Sequence, residues 1–233
     1  MPLPLVESAY KLLQDAWRKG PLRTLGAFQL LQILEKGQGH ATSRRTQTCV
    51  DAAGQPIPWF TYPAIEYLRQ FDLRDRRVFE WGSGNSSLFL AQRTKEVRSI
   101  EHDRAWAERA TEKLSNLRVE WVPPDAYAEA IDRDDSIYDL IVVDAVERPR
   151  CAAAALKHLA PGGLVILDNA DWFPNSAKTL REAGLLQVDM HGFGPINDYT
   201  WTTSFFFSRD CHLEPLGGLQ PHPPIGGLGH RSD

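Results

Sequence analysis

The sequence is short of the features that mark several protein classes. Its three cysteines, Cys49, Cys151 and Cys211, are odd in number, widely spaced and never arranged as CxxC. That argues against a disulfide framework or a zinc centre and fits a reducing compartment, so a cytoplasmic protein is expected. No apolar run approaches the roughly 18 residues that span a bilayer, so no transmembrane segment is expected. The first residues lack a charged start followed by an apolar core and a cleavage site, so no signal peptide is expected. Neither charge sign dominates: 26 Lys and Arg stand against 30 Asp and Glu, a net charge of -4, and no nucleic-acid partner is expected. There is no internal repeat. What is present, 42% hydrophobic and 24% charged residues over 233 positions, suits one large folded domain with a small appendage.

The chain is organised around RVFEWGSGNSSLFLA, residues 77–91. Val78 and Phe79 belong to a short apolar run suited to a buried strand. Gly82 and Gly84 allow a sharp turn and bring bare backbone close to a ligand. Asn85, Ser86 and Ser87 are good helix starters, and Leu88 to Ala91 continue as an apolar helix. Glu80 ends the strand just ahead of the turn. A dinucleotide pyrophosphate there would lie beside a carboxylate and be repelled, whereas the cationic S-adenosylmethionine would be attracted. Ser87 also stands where the dinucleotide fingerprint has its third glycine.

On either side of this stretch the pattern is regular. Residues 6–35 read as two helices broken at Gly20-Pro21, either a membrane-surface helix or docking arm, or a helical lid or homodimer contact packed on the main domain. Residues 36–57 are polar and read as a linker or mobile loop, so 1–57 form an N-terminal helical extension and linker. Pro63 suits the first turn of a further helix. Beyond the glycine turn, short strands alternate with helices, and strand ends fall at Glu101, Asp144 and Asp168. Such alternation implies an α/β fold, a doubly wound, mostly parallel sheet covered by helices on both faces, over residues 58–211. Ligands of such sheets bind beyond the carboxyl ends of the strands. Residues 212–233 are rich in Pro and Gly and read as a disordered or loosely draped tail.

Glu101 lies about 20 residues beyond the glycine turn, where an acid accepts the ribose hydroxyls of a bound nucleoside. Asp125, after the third strand, either accepts an adenine amino group or caps a helix. His102 falls near the adenine rim or is a plain surface histidine. With these residues placed, the chain resembles the class I S-adenosylmethionine-dependent methyltransferases through FEWGSGNSS, SIEHD, YDLIVVDA and LAPGGLVILDN, over residues 76–170. The resemblance implies a seven-stranded sheet in the order 3-2-1-4-5-7-6 with the last strand antiparallel. It implies S-adenosylmethionine as cofactor, with Glu80, Gly82, Ser83, Gly84, Asn85, Ser86, Glu101, His102, Asp125 and Asp144 as its candidate partners.

Asp144, Asp168 and Asn169 resemble the metal-binding set of catechol-type O-methyltransferases, and three hard oxygen ligands suit Mg²⁺ or a similar divalent cation. The alternative is that Asp144 only orients its loop and Asn169 caps a turn. The lysine base of those enzymes is missing; Glu147, Arg148 and Arg150 occupy that region, and either arginine suits an acidic substrate group. Candidate bases are Asp144, Asp171 and His191, with Tyr199 more remote. Trp59, Phe60 and Tyr62 either lie over the ligand's methionine end or pack in the core. Trp172, Phe173, Tyr199 and Trp201 either line an apolar pocket or fill the core. The expected activity is O-methylation of a small molecule, a sugar or secondary metabolite. An NAD-dependent oxidoreductase and a non-catalytic binding module are the alternatives. The Pro123-Pro124 pair lies after the third strand, away from Asp144, and so does not form the site of amino-directed base methylases.

Overall fold

The computed structural model describes residues 20, 22–110, 114–133 and 135–227. The first of the two expected N-terminal helices lies outside them.

Seven strands form one sheet: β1 (Arg77–Trp81), β2 (Glu96–Glu101), β3 (Leu117–Trp121), β4 (Tyr138–Val143), β5 (Leu159–Asp168), β6 (Leu186–Gly192) and β7 (Trp201–Phe207). Their order is 3-2-1-4-5-7-6. The first five run parallel, and β7 pairs antiparallel with both β5 and β6. The helices are α1 (Leu22–Gln32), α2 (His40–Thr46), α3 (Tyr62–Leu68), α4 (Asn85–Ala91), α5 (Arg104–Ala110), α6 (Arg148–His158) and α7 (Pro174–Glu182). Among the described residues, no helix is long and apolar enough to cross a membrane.

The period of two in β1 sorts its side chains between two cores. Val78 points into a cluster with Ile65, Phe89, Val97 and Leu140, beneath α3 and α4. Phe79 and Trp81 point the other way, with Ile141, Ala152 and Leu180, beneath α6 and α7. Burial of β1 on both faces is what a central parallel strand requires. Strand order reverses between β1 and β4. The Trp81 carbonyl accepts from the Asp144 amide (3.1 Å) and the Ile100 carbonyl from the Gly82 amide (2.9 Å), which fixes the three strand ends in one row. A crevice opens beyond that row, at the place where ligands of open α/β sheets bind.

The chain from 40 to 57, expected as a linker, is folded. The α2 helix is followed by a turn closed by a Val50–Pro56 bridge. Ser43 Oγ donates to the Val50 carbonyl (2.8 Å), and the Arg69 guanidinium donates to Asp51 Oδ2 (2.9 Å). The alternation of small polar residues hides this order from a periodicity argument, because side-chain bonds replace an apolar stripe. Helix α1 runs into a π-helical turn at Ile33–Gly37. Residues 212–227 run back along α3: the Asp72 amide donates to the Glu214 carbonyl (2.8 Å), and the Ile225 amide to Glu66 (3.0 Å).

Candidate active site

The turn after β1 owes its shape to Gly82, whose φ of +95° falls in the left-handed region. A Cβ there would lie 2.3 Å from the Asp144 carbonyl oxygen. Both strain and overlap would push the β1 and β4 ends apart. Gly82→Ala is therefore expected to lose about 2–3 kcal/mol of stability, read from urea unfolding, and to lose ligand binding at the turn with it.

Glu80 does not sit where its sequence position suggests. Its carboxyl is buried behind the turn, about 1% exposed. Ser87 (2.5 Å) and Ser99 (2.6 Å) donate to Oε2, and Oε1 is buried without a hydrogen-bond partner. The charge match argued from Glu80 is corrected accordingly: this carboxylate braces the turn from beneath and lines neither of the two cavities above the strand ends. Burial, against the pull of the surrounding serine hydroxyls, raises its pKa from 4.5 to about 7. The folded state therefore takes up a proton between those values, and stability falls as pH rises through that window. The loss amounts to about 3 kcal/mol by pH 8. Glu80→Gln removes this titration, so its stability relative to the natural protein should rise by about that amount between pH 4.5 and pH 8 in urea unfolding.

Two cavities lie above the strand ends. The first, about 140 Å³, is built on Ser83, Gly84, Asn85 and Ser86 of the turn and is closed by Cys49, Trp59, Trp106 and Asp144. Cys49 arrives through the folded 40–57 segment, where Asn85 Nδ2 donates to its carbonyl (2.5 Å). Burial, then the charges of Asp144 and Asp168, push its thiol to about 12, which keeps it protonated. Trp106 Nε1 donates to the Ser83 carbonyl (2.6 Å), laying the indole across the turn. Neither Cys49 nor Trp106 was singled out by motif. One lies before the first strand and the other on a surface helix, and only the fold brings them to the turn.

The second cavity, about 240 Å³, is lined by Asp168 and Asn169 at the end of β5 and by Trp172, Tyr199 and Trp201. Trp59 and Asp144 belong to both cavities and form the wall between them. Of the four aromatic residues with two readings, Trp172, Tyr199 and Trp201 line this cavity, while Phe173 stacks under the Arg148 guanidinium (4.5 Å).

Glu101 is brought to the turn but is fully engaged. Its Oε2 accepts from the Ser83 amide (2.9 Å) and Ser83 Oγ (3.1 Å), and its Oε1 from the amides of His102 and Asp103 and from the His102 ring. The two side-chain donors, Ser83 Oγ and the His102 imidazole, hold positions that ligand hydroxyls can take over without disturbing the backbone bonds. Asp125 is exposed on a 3₁₀ turn and lines neither of these two cavities. Asp171 and His191 are likewise taken away from the strand-end row. They line a separate depression at the β6 edge, where Asp171 accepts from the Thr202 amide (3.0 Å) and His191 bonds the Thr202 hydroxyl (2.6 Å).

A divalent cation does not fit the set expected to hold it. The Arg148 guanidinium stands among those residues. It donates to Asp144 Oδ1 (2.5 Å), to Asn169 Oδ1 (2.8 Å), and to the carbonyls of Asp168 (3.1 Å) and Ala145 (2.6 Å). Asp168 Oδ1 is taken by Thr203 (2.6 Å) and Trp201 (3.0 Å). Among the described residues, no cluster of three His, Cys, Asp or Glu is arranged to hold a metal. A fixed positive charge with a forked donor set does the cross-linking that an ion would do. Burial raises the pKa of Asp144, with Arg148 opposing. Asp168 is raised further, by burial and then by the charge of Asp144.

No family model matches the sequence, and no curated protein matches it. Among solved structures, a protein described as a candidate O-methyltransferase from Klebsiella pneumoniae matches 75% of this chain and 89% of its own, with a TM-score of 0.51 and 18% identity. A precorrin-6y C5,15-methyltransferase from Geobacter metallireducens matches 63% and 86%, with a TM-score of 0.50 and 11% identity. The fold is that of the class I methyltransferases. In this fold, the first cavity lies on the glycine turn after β1 and the second beyond the end of β5. Asp144 and Trp59 occupy the boundary.

Proposed function

We propose that this protein is an S-adenosylmethionine-dependent methyltransferase that methylates an oxygen of a small molecule. The observation that carries this reading is the shared wall: one cavity on a bare-backbone turn and one lined by aromatic rings meet at the half-buried Asp144 carboxylate. Ser83 to Ser86 and Asp144 would hold the methionine end of the cofactor, and Glu101 the ribose. When bound, S-adenosylmethionine supplies a methyl group on a positively charged sulfur. The acceptor oxygen forms the new C–O bond with its lone pair, and the C–S pair returns to sulfur.

Since the leaving group is good, the chain's own task is mostly alignment. Trp59 narrows the passage between the cavities. Asp144, its pKa raised by burial, is placed to take the acceptor hydroxyl proton on Oδ2 while Arg148 holds Oδ1 still. The test uses radiolabelled S-adenosylmethionine with a panel of hydroxylated small molecules. Asp144→Asn should lower methyl transfer by about 100-fold or more even at saturating S-adenosylmethionine, beyond any loss of cofactor affinity. Undiminished transfer by that variant would remove Asp144 from the chemistry.

A further inference from the structure

The second cavity has more acid and more exposed aromatic surface than alignment of a hydroxyl needs. Asp168 is about 3% exposed, yet it lines the cavity. Both hydrogen bonds to its carboxyl fall on Oδ1, from Thr203 and Trp201, and among the described residues none falls on Oδ2. Arg148 donates to the Asp168 backbone carbonyl, not to its side chain, so the one guanidinium in the cluster is spent on Asp144. Around this carboxyl stand Trp172, Tyr199 and Trp201. Successive ring centroids lie 6.2 and 5.9 Å apart, with the planes tilted at 33° and 59°. Trp172 is about 54% exposed and Tyr199 about 47%, an unusual arrangement for rings with a core role only.

Tilted rings lining a cavity that is closed at its inner end by a desolvated carboxylate present negative π faces and a negative charge to the same small volume. That is the chemistry that recognises an ammonium group. A neutral polyol also stacks on such rings, but it brings no charge to Asp168, whose ionised form is disfavoured by burial and by Asp144. A bound cation offsets both penalties.

We infer that the methyl acceptor carries a protonated amine, held by Asp168 in the Trp172–Tyr199–Trp201 cavity, while its hydroxyl reaches past Trp59 to Asp144. This rests on the methyl-transfer reading for the role of the hydroxyl, but the ammonium site is testable without the cofactor.

The experiment titrates the full chain with 2-phenylethylamine and with its neutral counterpart 2-phenylethanol, followed by tryptophan fluorescence and calorimetry. S-adenosylmethionine is titrated in parallel. The amine should bind at least about tenfold more tightly than the alcohol. Asp168→Asn should abolish that preference, and Trp172→Ala, at an exposed position, should weaken the amine alone. If Asp168→Asn does not fold, the Trp172→Ala result and the amine-to-alcohol ratio decide the matter. Equal binding of amine and alcohol overturns the inference. So does preferential binding of a neutral methyl glycoside, and so does absence of amine binding while S-adenosylmethionine binds. Absence of S-adenosylmethionine binding with the amine preference intact overturns the reading of the preceding section and leaves the ammonium site standing.

Discussion

Arg148→Ala is expected to lower the melting temperature by about 10 °C. The guanidinium is largely buried, with its side chain about 12% exposed, and it ties Asp144 to Asn169 and to two carbonyls across the β4 and β5 ends. Removing it leaves the half-buried Asp144 carboxylate without its cation and strips the Phe173 ring of its partner. Breaking a buried pair on one side costs about 3–5 kcal/mol, and in a domain of this size each kcal/mol moves the midpoint by about 2–4 °C. Arg148→Lys keeps the charge but cannot fork to four acceptors, so it should recover only part of the loss. The same experiment checks the exclusion of the metal. Millimolar Mg²⁺ should leave the natural protein's midpoint unchanged. A rise of several degrees would mean that the carboxylates can turn from Arg148 to an ion.

Glu101→Ala is expected to weaken S-adenosylmethionine binding by at least about 100-fold in calorimetry. Two hydroxyl-to-carboxylate bonds are worth about 1.5–3 kcal/mol each, and each 1.4 kcal/mol is a factor of ten. The variant also frees three backbone amides, those of Ser83, His102 and Asp103. Part of the effect therefore passes through a loosened turn. Glu101→Gln separates the two contributions. It retains an acceptor for the amides but loses the charge, so it should hold stability better than affinity. A Kd unchanged by either substitution would detach Glu101 from ligand recognition.

The positions of the strands were legible because the sequence carries them in plain form, whereas their order was implied by the family resemblance. Apolar runs such as YDLIVVDA end in acids, and glycine and proline punctuate the helices. Both faces of β1 and β4 are buried, so those runs have no other use. The row Glu80, Glu101, Asp144 and Asp168 was also legible as a row of strand ends, but not as a set of equivalent groups. A strand alternates sides, and whether an end residue faces the crevice or the layer beneath depends on the turn that follows. Gly82 carries the chain over Glu80, so that acid became a buried brace with serine partners. Asp144, at the next strand end, stayed at the cavity wall.

The metal set failed for a related reason. Three oxygen-bearing residues at two strand ends look alike in sequence whether an ion or an arginine lies among them. The arginine is visible four residues after Asp144, but its direction is set by the first turn of α6. His191 and Asp171 lay close to the strand-end row in sequence but sit at the outer edge strand, and adjacency along a chain says little about position across a sheet. Cys49 and Trp106 carried no motif at all.

The most direct test of the central claim is a calorimetric titration of the folded, full-length protein with S-adenosylmethionine, with NADH as the competing ligand. The account predicts saturable one-to-one binding of S-adenosylmethionine, lost in Gly82→Ala, and no competition from NADH. A flat S-adenosylmethionine titration at millimolar ligand, or displacement of S-adenosylmethionine by NADH, would contradict it.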